Sequence, residues 1–405
     1  MQWFIYYYSI MRFTPKSRSF LSGITILLVT LLISFFLLEG IFRLFLEKPE
    51  TVVFRSASPP PASPALKQQL STVEGVPDSA LYLITENGVR LRPNTSLTIE
   101  NHRLSHRSIL IETNAFGFRY GELKEKTAED FRILVLGDSI TFGDFVPYED
   151  TYPFVIEDSL KSQNLSKNIQ VINAGIGNTG IKNYFSILME TGASVKPDIV
   201  LVGLYLNDAG ESYPFTLNVS AYPEWTQKSY LLHFILRRFN ILNAQRRFAS
   251  AEKETGRSKQ LQQFLAEHPI TPADDRNNEN SYFNGVIADA FMDWGYAWSD
   301  ECWVKISEYA KLIKQAAEST KAELFIVLFP VRQQVEAKIL RDEPQQHFKR
   351  IMEETGVKHL DLLPALREKF QNDAFSAYYD HCHFKPEGNR FVGKEVAEFL
   401  AKSEN

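Results

Sequence analysis

The sequence predicts an α/β fold, a three-layer sandwich built around a parallel sheet. Two observations carry this. Short apolar runs alternate with helical patterns from Phe131 to the C-terminus, the rhythm of repeated βαβ units. The central runs are apolar throughout, as strands buried on both faces require, and the clearest of them, Ile133–Leu136, ends at Gly137-Asp138-Ser139.

Ahead of that region, Phe20 to Leu38 carries no charge over about the length that spans a bilayer core. Arg12, Lys16 and Arg18 precede it, which orients the N-terminus to the cytoplasm and the rest outward. A cleaved signal peptide is the competing reading. It would need a shorter apolar region and a small-residue cleavage site, and Glu39-Gly-Ile-Phe-Arg stands there instead. Residues 1–50 are therefore expected to be a cytoplasmic tail and a single-pass anchor. Ala57 to Pro64 is Pro-rich and reads as a semi-stiff spacer. Short alternating segments, Ser96-Leu-Thr-Ile-Glu and Ser108-Ile-Leu-Ile-Glu, suggest a small β-rich prelude leading to Asn114-Ala-Phe-Gly-Phe-Arg, so that 51–125 forms linker and prelude.

From residue 126 to 405 the main domain follows. Strands are expected at Ile133–Leu136, Val171–Ile172, Ile199–Val202 and Leu324–Leu328, with a weaker one near Val357–Leu360. Helices are expected at Tyr152–Leu160, Asn183–Glu190 and Trp303–Ala317, and from Pro386 onward, where proline suits a first turn. An insertion at about 209–300 breaks the rhythm and is far longer than an ordinary connection. Ser229 to Arg247 mixes apolar and basic residues at helical spacing, whereas Thr271 to Ser281 is polar and turn-rich. A cap beside the site and a surface decoration are both open readings, and the basic amphipathic part could also meet a membrane surface.

A formal net charge of -5 gives no basic footprint, which argues against nucleic acid as a partner. The two cysteines, Cys302 and Cys382, are too few for a disulfide framework or a zinc site. They could pair with each other or stay as free thiols.

Four distant blocks then converge. Gly137-Asp138-Ser139, the Gly-rich turn Asn173 to Gly180, and Gly203 to Asp208 each come directly after or at the end of a predicted strand. In a parallel sheet their carboxyl ends face one crevice. The fourth, Asp380-His381-Cys382-His383, directly precedes the last helix. Acyl transfer by a serine needs a base, an orienting group and oxyanion donors. Ser139 suits the nucleophile, His383 the base and Asp380 the group that holds the imidazole. The Ser139 N–H, an N–H of the glycine turn and the Asn207 amide would form the oxyanion hole. Asp138 and Asp208 read as backbone-binding caps. His381 with Asp380, Cys382 and His383 could be taken for a metal set, but a fourth ligand is not apparent, so neither metal nor organic cofactor is expected.

GDSITFG, NAGIGNTG, GLYLND and DHCH, in this order, resemble the four blocks of the SGNH, or GDSL, hydrolase superfamily. The resemblance covers Phe131 to the C-terminus without the insertion. It implies a flavodoxin-like α/β/α sandwich with a five-stranded parallel sheet. It also implies Ser139 as nucleophile, Asn207 as oxyanion amide and Asp380 with His383 as the Asp-x-x-His pair. The family glycine falls on Gly177 or Gly175, with Gly177 preferred. The anchor, the NAFGFR stretch and the enlarged connection before the fourth block also resemble membrane-anchored bacterial members. These features imply an ester hydrolase at the bacterial inner membrane with its catalytic domain periplasmic, acting on an acyl ester, glycan- or lipid-linked. An O-acyltransferase using an envelope polysaccharide hydroxyl is one alternative, and a catalytically idle anchored scaffold is the other.

Overall fold

The computed structural model describes residues 15–46, 48–49, 51–54, 81–102, 104–143, 145–163, 167–210, 228–236, 238–239, 257–270 and 279–403. The Pro-rich spacer, the basic residues 241–247 and the polar run 271–278 lie outside them. The chain divides into two compact units.

The first unit holds residues 1–49 and 223–240. Its main element is one helix, Pro15–Phe45, in which Ser22–Phe45 is long and apolar enough to cross a membrane. Leu27, Leu31, Phe36 and their neighbours are exposed around it. A second, short helix occupies 230–236 and 238–239.

The second unit begins with small antiparallel elements. β1 (Thr51–Phe54) pairs with β4 (Ser96–Glu100), which pairs with β5 (Ile109–Glu112); β2 (Tyr82–Thr85) and β3 (Gly88–Leu91) form a hairpin. β5 alternates buried and exposed positions, as a strand with one wet face does. This prelude and the central sheet share one core: Leu81, Leu91, Leu97 and Ile111 belong to the same buried cluster as the sheet strands. Asn183 fixes the hairpin to the helix Ile181–Val195 by accepting from the Val89 N–H at 2.9 Å and donating to its carbonyl at 3.2 Å.

The central sheet is wholly parallel, in the order β10 (Lys358–Asp361), β9 (Glu323–Phe329), β8 (Ile199–Tyr205), β6 (Asp130–Gly137), β7 (Asn168–Asn173). Numbered from β6 this is 2-1-3-4-5, the flavodoxin-like order, whose switch point lies beside the first strand. All seven residues of β8 are buried, so the strand reads as an uninterrupted apolar run. The expected helices form with longer ends: Tyr152–Lys161, Ile181–Val195, Asp300–Ser319 and Pro386–Ser403. Trp303, Ile306, Ala310, Ile313 and Ala317 are all buried, as their common face predicted. Helices Glu343–Thr355 and Leu363–Phe370 complete the connections flanking β10.

Candidate active site

The site lies at the carboxyl end of β6. Gly137 pairs with Gly203 of β8, and the lack of side chains there lets Thr141 fold back over the strand end. A Cβ on Gly137 would stand 2.0 Å from Thr141 Oγ1, and one on Gly203 2.5 Å from the Tyr152 hydroxyl. Thr141 Oγ1 and Tyr152 Oη are hydrogen-bonded at 2.7 Å. The short helix Ser139–Phe142 starts in this tight corner, with the Asp138 carboxylate capping the Ile140 N–H at 2.8 Å.

The prelude grips the far end of that turn. Arg119, from the NAFGFR stretch, is 1% exposed. Its guanidinium donates to the carbonyls of Phe142, Gly143, Val146 and Leu110. The ring of Phe145, in the held segment, packs on the His383 imidazole with centroids 4.1 Å apart.

His383 arrives from 244 residues away, and its Nε2 lies 2.8 Å from Ser139 Oγ. Its Nδ1 lies 2.7 Å from Asp380 Oδ2. With Nδ1–H donating to the carboxylate, Nε2 is left to accept the serine proton. The other oxygen, Oδ1, accepts the backbone N–H groups of Cys382 at 2.9 Å and His383 at 2.8 Å. Burial pushes the Asp380 carboxyl up, but the hydrogen bond and charge of His383 and these two N–H groups hold it well below the usual carboxylate range. The backbone of the same turn is tied to Arg332, whose N–H donates to the His381 carbonyl at 2.8 Å and whose Nε donates to that of Asp380 at 3.0 Å.

The two candidate glycines differ in space. The Gly175 N–H donates to Asn173 Oδ1 at 3.0 Å, and a Cβ there would strike the Phe142 nitrogen at 2.4 Å. A Cβ on Gly177 would instead meet Tyr82 Oη at 3.2 Å and Ser139 Cβ at 3.8 Å. Gly177 therefore borders the serine, and Gly175 permits close packing behind it.

Asn207 leaves β8 toward the same end of the sheet, and its Nδ2 donates to Asp293 Oδ1 at 2.7 Å. Asp293 comes from the insertion, and its other oxygen is 3.6 Å from His381 Nε2. The loss of solvent raises the Asp293 carboxyl, but the hydrogen bond and charge of His381, the Asn207 amide and Arg257 together bring it below its ordinary value. Asp208 binds backbone, as expected, accepting the Tyr205 N–H at 2.8 Å. Burial first, then the charge of Asp138, raise its carboxyl well above the ordinary range.

Cys302 and Cys382 are both buried and free, which overturns the alternative of a bridge between them. Burial and the Asp380 charge push the Cys382 thiol up, so it stays protonated beside His383. Asp380, Cys382 and His383 bring potential ligand atoms within 4.8 Å of one another. The carboxylate and imidazole atoms of that group are engaged in the hydrogen bonds above.

Sequence reasoning does not single out Asp293, Arg119, Phe145 or Tyr82 as site residues. Arg119 stands inside the NAFGFR stretch, whose residue types give no hint of a carbonyl-binding role. Asp293 carries no local signal, because its partner lies 86 residues away.

A family model described as GDSL-like lipase/acylhydrolase matches residues 133–396. An arylesterase from Vibrio mimicus is 31% identical over 83 residues, which is 20% of this chain and 40% of that relative. The chain thus spans less than half the length of that curated relative. Among solved structures, a two-domain esterase active on acetylated mannans overlaps 67% of this chain and 49% of its own, at 14% identity and a TM-score of 0.38. A catalytic mutant of an acetylxylan esterase from Geobacillus stearothermophilus overlaps 69% and 96%, at 13% identity and a TM-score of 0.38.

Proposed function

Because the chain belongs to the GDSL-like lipase/acylhydrolase family, we propose that it is a serine ester hydrolase working through an acyl-enzyme on Ser139. The observation that carries this reading is the relay of contacts from Ser139 Oγ to His383 Nε2 at 2.8 Å and from His383 Nδ1 to Asp380 Oδ2 at 2.7 Å.

In the proposed reaction, Ser139 Oγ attacks the ester carbonyl while Nε2 of His383 takes its proton. Asp380, held ionised, stabilises the imidazolium without itself accepting the proton. The oxyanion is received by the N–H groups of Ser139 and Gly177 and by one N–H of the Asn207 amide. A primary amide has two such N–H groups. Asp293 takes one, which fixes the rotation of the amide and leaves the other for the oxyanion. His383 then protonates the departing alcohol, and a water deprotonated by the same imidazole releases the acid. These steps need neither metal nor organic cofactor.

The helix Pro15–Phe45 serves, in this reading, as an uncleaved membrane anchor. Positive residues on its N-terminal side support an orientation with the catalytic unit outside the cytoplasm. The substrate is an acyl ester in or near the envelope.

The test is labelling by a fluorophosphonate probe, with a panel of acyl esters, on wild type and Ser139→Ala. Ser139-dependent labelling and hydrolysis are expected. No labelling of a folded wild type would reject the mechanism and favour the idle scaffold. Acyl transfer to an added glycan, in place of release to water, would favour the O-acyltransferase.

A further inference from the structure

Glu39 is the unexpected residue of the first unit. It sits in a helix whose surrounding residues are mostly apolar and exposed, yet its own side chain is buried. What buries it is the short helix at 230–239, from the middle of the insertion. Glu39 Oε1 accepts the Tyr230 N–H at 3.1 Å; Oε2 accepts the Leu231 N–H at 3.0 Å and the Ser229 hydroxyl at 2.8 Å. Ser229 in turn accepts the Leu232 N–H at its Oγ, 3.2 Å, and the His233 N–H at its carbonyl, 2.9 Å. The first four N–H groups of a helix have no partner inside it. Here those of Tyr230, Leu231 and Leu232 are satisfied, two of them by a carboxylate 191 and 192 residues earlier in the chain, while the His233 N–H makes the first bond within the helix.

The contact continues along both helices. Arg43 Nε pairs with Glu39 Oε1 at 2.8 Å, Arg43 Nη2 donates to the Lys228 carbonyl at 3.2 Å, and its guanidinium lies 5.0 Å over the Tyr230 ring. Phe42 meets Phe234 edge-on at 5.2 Å. Leu231 is buried, while Phe234, Ile235 and Phe239 stay 37%, 39% and 61% exposed.

About 20 helical residues cross a hydrocarbon core of ~30 Å. A span that enters at Ser22 therefore leaves near Ile41, at the level of Glu39 and Arg43. An apolar face with aromatic residues and flanking cations, starting at that level and continuous with the exposed apolar surface of the span, matches the lipid headgroup boundary. We propose that residues 228–239 are a membrane-interface element, clamped to the spanning helix by Glu39, with Phe234, Ile235 and Phe239 seated in the phospholipid layer. This rests on the reading of Pro15–Phe45 as an anchor. It makes the insertion an element held at the bilayer at one point and, further along the same segment, the donor of Asp293 to the site.

The full chain is reconstituted in phosphatidylethanolamine–phosphatidylglycerol vesicles with an environment-sensitive label on Phe239→Cys or, separately, Leu31→Cys. Unsubstituted protein is the control for the buried thiols of Cys302 and Cys382. Lipids brominated high on the acyl chain should quench the Phe239→Cys label, and aqueous iodide should not. Adding Glu39→Leu should shift the ratio of lipid-quenched to iodide-quenched signal by about tenfold, the scale expected when a helix loses its cap. Ser229→Ala, which leaves the span untouched, should shift it the same way by less. If deeply brominated lipid quenches Leu31→Cys but Phe239→Cys answers only to iodide, the clamp is wrong and the anchor stands. Lipid quenching at Phe239→Cys that ignores both Glu39→Leu and Ser229→Ala also overturns it. A Leu31→Cys label that deep lipid cannot reach overturns the anchor reading, and the clamp with it.

Discussion

Replacing Asp293 by alanine tests whether the insertion takes part in catalysis. The carboxylate holds one N–H of Asn207 at 2.7 Å. A hydrogen bond to a charged group is worth about 1.5–3 kcal/mol. The Asp293 side chain remains partly open to solvent. The lower figure therefore applies, and 1.4 kcal/mol corresponds to about a tenfold change in rate. Asp293→Ala should therefore lower kcat about tenfold with KM nearly unchanged, because in the proposed mechanism the amide acts on charge that develops only in the transition state. Asn207→Ala, which deletes the donor outright, should cost about a hundredfold to a thousandfold. The double variant should be no slower than Asn207→Ala alone, since Asp293 has nothing left to orient. Asp293→Asn, which keeps an acceptor oxygen, should recover part of the loss. Because its surroundings hold Asp293 below the ordinary carboxylate range, the ratio of wild type to variant should be flat from about pH 5 upward. The assay is steady-state hydrolysis of a chromogenic ester by wild type and these variants. Losses that multiply in the double variant would refute the orienting role. So would a faster Asp293→Ala, which would mean that the carboxylate chiefly repels the oxyanion.

Gly175→Ala should destabilise the fold by about 3 kcal/mol or more, because its Cβ would strike backbone at 2.4 Å, whereas Gly177→Ala should fold normally and lose kcat/KM; paired denaturation and kinetic curves check this. Arg119→Met should lower stability by about 3 kcal/mol through the carbonyls it leaves without their buried donor, and should slow turnover by loosening Phe145 against His383, read from denaturant midpoints and kcat. Asp361, at the end of β10, has its carboxyl raised by burial to about 6. A carboxyl raised on folding favours the folded state fully below its unfolded value near 4, and that contribution is lost as pH rises through 6. Asp361→Asn should thus be more stable than wild type at pH 8 by about 2 kcal/mol and lose that advantage by about pH 4, as thermal unfolding at the two pH values would show.

How much of this could be read in advance depended on how local each cause was. A strand buried on both faces followed by Gly-Asp-Ser is a local pattern, and a buried strand does end at Gly137; Asp380 three residues before His383 is another, and the two side chains lie 2.7 Å apart. The capping roles of Asp138 and Asp208 were equally local, each binding an N–H within three residues. Gly175 and Gly177 share one turn, and what distinguishes them is the packing of Thr141 and Phe142 behind it, which no local pattern shows. The partners of Asn207 and Glu39 were illegible. Each is fixed across a long sequence separation, by groups common on any surface. The groups proposed to attack and to carry the proton hang on the sheet and on the turn before the last helix, where backbone geometry leaves little freedom. Asp293 and the short helix that starts at Tyr230 hang on the insertion, which supplies neither Ser139 nor Asp380 nor His383. Exchanging residues 209–300 for a short connection should accordingly leave the contact between His383 and Ser139 intact, while removing the orienting bond to Asn207. Fluorophosphonate labelling should survive that exchange better than ester turnover does; equal losses would place the insertion inside the structural core of the site.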